Sequence, residues 1–78
     1  MYRSEVFAAI DLERTYQDRC HPGHRHEVGT YLTYLRHYLN LAGTAVMTGS
    51  DDRDGLAEIR KIAALAVACL EQHGCPGR

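Results

Sequence analysis

The sequence predicts an all-α protein: a three-helix protomer built on a long helical hairpin and forming a four-helix bundle across a dimer interface. Three observations carry this. Apolar residues recur at steps of three and four over long stretches. Two segments rich in turn formers, "CHPGHRH" and "TGSDDRDG", divide those stretches into three. The second and third stretches each carry two apolar stripes, and a helix that is apolar on two sides calls for two neighbours.

Ser4 as N-cap and Glu5 as first-turn acid open a first helix expected over Glu5 to Arg19, with Val6, Phe7 and Ile10 on one side. Pro22 and Gly23 punctuate the loop after it. From Glu27 to Thr48 there is no proline, and a second helix is expected throughout. One of its stripes is Val28, Leu32, Leu35, Leu39, Ala42 and Val46, expected to form the core; the other is Tyr31, Tyr34, Tyr38, Leu41 and Ala45. After the second connector a third helix is expected from Leu56 to His73, closed by Gly74 and Pro76. Its stripe Leu56, Ile59, Ala63, Ala66 and Leu70 runs beside Ile62, Leu65 and Cys69. The hairpin satisfies one stripe of each helix. The first helix or a second chain must cover the other.

With 78 residues, positions 1–78 form one domain at most, near the size at which a single core leaves marginal stability and association supplies the rest. A homo-oligomer, dimer or higher, is the expected state. Nine Lys and Arg offset ten Asp and Glu, so no global field draws the chain to nucleic acid or anionic lipid, and neither is an expected partner. The start, "MYRSEVFAAIDLER", turns acidic within five residues and has no signal-like apolar run, and no later run reaches the length of a membrane span; a cytoplasmic protein is expected. Cys20, Cys69 and Cys75 form no disulfide framework and are read as reduced thiols.

The segment "IDLERTYQD", a His-containing loop, then "YLTYLRHYLNLAGTAV" and "LAEIRKIAALAVACLEQHG" together resemble small phage and prophage proteins related to the MazG-type all-α nucleoside triphosphate pyrophosphohydrolases. The resemblance covers nearly the whole chain, and its most specific pieces are Glu13, Arg14, Gln17, Asp18, and the alanine-rich third helix ending in Leu70 and Glu71. In the active family, carboxylates on two successive helices hold magnesium, which grips the triphosphate, because magnesium takes hard oxygen donors and the polyphosphate charge must be neutralised. The resemblance lays His37, Tyr38 and Leu41 on the first carboxylate set, and Glu58 and Lys61 on the second. Only Glu58 keeps a carboxylate. What the resemblance implies is therefore a non-catalytic relative with no cofactor, in which Arg36, His37, Glu58, Arg60 and Lys61 are candidates for direct phosphate or nucleotide contact. A solvated charged face is the ordinary alternative for such residues.

Other chemistry is sparser. Cys20, His21, His24 and His26 fall within seven residues and are weak zinc candidates, since their spacing matches no standard chelate. Cys20 or Cys75 as a nucleophile lacks a setting that would depress its pKa. Tyr31, Tyr34 and Tyr38, with Leu41, suit an oligomer interface better than base stacking, because a tyrosine ring packs while its hydroxyl stays wet. The favoured function is an oligomeric interaction module of phage or prophage type, with a host protein as a further partner. The alternatives are a metal-independent nucleotide-binding or scavenging protein, and a divergent magnesium-dependent pyrophosphohydrolase using a rearranged site around Tyr16, Gln17, Asp18 and Glu27.

Overall fold

The computed structural model describes residues 1–48 and 52–78. The middle of the "TGSDDRDG" connector, positions 49–51, lies outside the described residues. The described chain folds as three α-helices: α1 (Arg3–Cys20), α2 (Val28–Met47) and α3 (Asp52–His73). Each occupies the stretch its periodicity predicted, with shifted ends.

Tyr2, not Ser4, caps α1, and the Glu5 carboxylate accepts a hydrogen bond from the Tyr2 N–H at 3.3 Å. Glu5 thus answers an otherwise orphaned donor and complements the helix dipole. Asp52 and Asp54 occupy the first turn of α3, which starts four residues before Leu56, for the same electrostatic reason. At the far end Gly74, at φ 99°, donates its N–H to the Leu70 carbonyl at 2.8 Å, a left-handed closure that glycine adopts without strain.

The third helix is the centre of the molecule. Both α1 and α2 pack on it, and they do not pack on one another. The α2–α3 contact is close because small residues form it. A Cβ at Gly55 would lie 2.6 Å from Cγ2 of Val46, and Ala42, Ala64 and Ala68 are buried. The α1–α3 junction is largely polar. Arg14 forks onto Glu71 through Nε (3.0 Å) and Nη2 (3.1 Å), Arg60 Nε donates to Glu13 at 2.9 Å, and Gln17 Nε2 donates to the Lys61 carbonyl at 3.2 Å.

This packing reverses the expected roles of the two α2 stripes. Tyr31, expected at an oligomer interface, is 1% exposed and is the largest fully buried side chain, whereas Leu39, expected in the core, is 61% exposed. The cause is the small-residue seam. Helices drawn together through Ala42, Gly55, Ala64 and Ala68 leave the bulky aliphatic side chains flanking the contact rather than in it. The protomer is consequently open. Its accessible surface is 6194 Å², against about 4,800 Å² for a compact monomer of this mass. Its radius of gyration is 13.3 Å, against about 11.5 Å for a compact chain of this length.

Candidate functional site

Because α1 and α2 diverge from α3 without meeting, a cleft of about 510 Å³ opens between them. Glu13, Arg14, Tyr16, Gln17 and Asp18 of α1 form one wall. Tyr31, Tyr34 and Tyr38 of α2 form the other, at one turn per step, so that all three rings fall on the same side. Lys61, Leu65, Ala68 and Gln72 of α3 make the floor, and His21 and His24 close the end.

The formal charges in the cleft are neutralised within the protein. Arg14 binds Asp18 at 2.5 Å as well as Glu71, Arg60 binds Glu13, and Lys61 binds Glu58 at 3.1 Å. Partial burial works against the Arg14 cation, but its hydrogen bonds and charge pairing with Asp18 and Glu71 outweigh that and raise its pKa. The Tyr16 hydroxyl, hydrogen-bonded to the Cys20 side chain one turn on, is also raised. What the cleft presents to a ligand is therefore tyrosine hydroxyls and rings, amides and imidazoles.

At the His-lined end, the loop between α1 and α2 is fastened to the end of α3. Gln72 reads the backbone twice: its Oε1 accepts from the His26 N–H at 3.2 Å and its Nε2 donates to the His24 carbonyl at 3.0 Å. The His73 Nε2 meets the His26 carbonyl at 2.7 Å. The His26 ring stands edge-on to Tyr31 and Tyr34, at centroid distances of 5.3 and 5.0 Å, and Tyr31 in turn lies 6.3 Å from the His73 ring. Across from His26 is His24, centroids 3.7 Å apart and planes at 81°, with Nε2 of one ring in contact with Nε2 of the other. Partial loss of water, together with the neighbouring His26 and His21 rings, lowers the His24 pKa.

The predicted phosphate candidates are not gathered into one site. Arg60 and Lys61 are held by Glu13 and Glu58, while Arg36 and His37 are exposed on α2, His37 against the Tyr38 ring at 5.3 Å. No hydrogen bond or ion pair joins Arg36 or His37 to α3 among the described residues. Magnesium does not fit the donors present. Glu58 is paired with Lys61, and no three His, Cys, Asp or Glu side chains converge among the described residues. For the interface candidates, Tyr34 and Tyr38 line the cleft and Leu41 is 45% exposed. Of the four metal candidates, His24 and His26 converge, His21 lies alongside with its ring 5.5 Å from His24, and Cys20 is exposed at the end of α1. Gln72 was not legible as a site residue, because a glutamine near a helix end is ordinary and its partners lie 46 and 48 positions away.

No helix among the described residues is long and apolar enough to cross a membrane. No protein-family model matches the chain, and no curated protein or solved structure matches it either. Fold and site together define an all-α three-helix protein with an aromatic cleft.

Proposed function

We propose that the protein is a non-catalytic helical module that works by self-association, and that its working surface is the outer face of the α2–α3 hairpin. The observation that supports this reading is the exposure of Val28, Leu32, Leu39 and Val46 on α2 together with Leu56, Ile59 and Leu70 on α3. These are the residues of one apolar stripe from each helix, and no charged residue belongs to either stripe. The surface in excess of a compact monomer is about 1,400 Å², more than the roughly 800 Å² that each partner buries in a standard interface. A second copy fits such a face, because hairpin against hairpin gives a four-helix bundle, with α1 outside it. As a relative of the MazG-type enzymes of phage or prophage, such a module keeps the bundle and not the hydrolytic carboxylates, and a host protein is the further partner it would engage.

Sedimentation or light scattering at micromolar concentration is expected to give a dimer or larger species. Leu39→Asp with Ile59→Asp should return a helical monomer, since neither side chain is needed inside the protomer. A wild-type protein of 8.8 kDa under those conditions would overturn the reading. Pyrophosphate release from any nucleoside triphosphate that depends on Glu58 would overturn its non-catalytic part.

The cleft supports a second reading, a metal-independent nucleotide-binding protein, since Tyr34 and Tyr38 offer ring faces and Lys61 and Gln17 offer donors beside them. A thermal-shift screen of nucleotides without metal tests it. A ligand at about a hundred times its Kd adds nearly 3 kcal/mol, and Tyr34→Ala should remove the shift.

A further inference from the structure

The pair His24 and His26 has a property that neither the proposed assembly nor the cleft reading uses. The two residues are separated by one position in extended chain, so both side chains leave the backbone on the same side. Gln72 fixes the peptide groups of both residues at once. Tyr31 and Tyr34 hold the His26 ring edge-on. The result is two imidazoles whose Nε2 atoms are presented to each other without a ligand to bring them together. Between two imidazoles alone this contact accommodates one proton, carried by one ring and accepted by the other.

We propose that Nε2 of His24 and Nε2 of His26 form a two-imidazole site for a borderline divalent transition-metal ion of the nickel, copper and zinc group. Imidazole nitrogen suits these ions and not magnesium or calcium, which take oxygen donors. With metal–nitrogen bonds of about 2.0–2.1 Å, two donors at right angles stand about 3 Å apart. A small opening of the exposed His24 ring supplies that separation while His26 stays clamped. The ion replaces the shared proton, which leaves to solvent. No three potential donors of the His, Cys, Asp and Glu type converge among the described residues, so water fills the remaining positions. Gln72 and His73 fix the backbone that carries the donors, as outer partners commonly do at metal sites. Of the four candidates in "CHPGHRH", the site uses the second and third histidines and leaves Cys20 out. It is independent of the self-association reading.

Nickel(II) titrated calorimetrically into metal-free protein is the test. One ion per chain is expected, with affinity falling about tenfold or more in His24→Ala and holding in Cys20→Ser and His37→Ala. His24 is exposed, so its removal leaves the helices intact, which circular dichroism checks. Sub-stoichiometric nickel should also broaden the ring proton resonances of His24 and His26 before those of His37 and His73, a readout that needs no variant. Undiminished binding in His24→Ala, first broadening at another histidine, or no uptake by the wild-type chain would each overturn the proposal.

Discussion

His24 and His26 meet nitrogen to nitrogen, and that contact gives the metal-free protein a pH dependence whose sign can be worked out. The folded-state pKa of His24 lies below its ordinary 6.5. Between the lowered value and 6.5 the unfolded chain therefore binds more protons than the folded one, and stability falls as pH falls through that window. Above 6.5 the contribution is fully present; below the lowered value the loss levels off. Thermal melts in chelator-containing buffer should show Tm dropping from pH 7.5 to pH 5, and His24→Gln should flatten the drop. A profile that is the same in His24→Gln would remove the residue from this role. At this scale the sequence displayed the donors without their arrangement. "CHPGHRH" contains four possible ligands, but which two converge is decided by Gln72, a residue whose partners are distant in the chain and whose type carries no signal.

Among elements, the α2–α3 seam makes an unusual demand at Gly55. It is helical, so alanine there would ordinarily gain up to about 1 kcal/mol in helix propensity. Yet the added methyl would lie 2.6 Å from Cγ2 of Val46, a β-branched side chain with little rotamer freedom. Gly55→Ala is expected to destabilise the wild-type protein by about 1 kcal/mol and to stabilise Val46→Ala by a similar amount. Urea titrations of the four proteins in this cycle check the change of sign, and equal effects in both backgrounds would show that the seam is looser than described. The helices themselves were legible, because periodicity and turn formers report the local chain. Their orientation was not. Two stripes on α2 have comparable apolar content, and the choice between them rests on where small residues on α3 allow close approach, which appears only when both helices are placed. The start of α3 was missed because Asp52 and Asp54 read equally well as connector and as first-turn acids.

For the molecule as a whole, an apolar outer face implies that self-association draws on burial rather than charge. Raising salt from about 0.05 to 0.5 M shortens the screening length several-fold and should leave the dimer constant nearly unchanged. Tm should rise with protein concentration instead, as it does when folding and association are linked. A dimer that dissociates in salt would point to a charged interface elsewhere. The expectation of an oligomer was readable from doubled stripes in so short a chain, whereas the cleft was not, since nothing in the sequence shows that α1 and α2 fail to meet. That failure also sets an order of events. The seam joins Val46 to Gly55, near neighbours in the chain, while the Arg14 to Glu71 fork must close a span of 57 positions. The longer closure costs about 1.6 kcal/mol more in chain entropy, and α1 has only the one junction to repay it. Helix α1 should therefore dock last and leave first: amide hydrogen exchange in native buffer is expected to run fastest across α1, with the hairpin still protected, so that the chain passes through a two-helix form each time it opens.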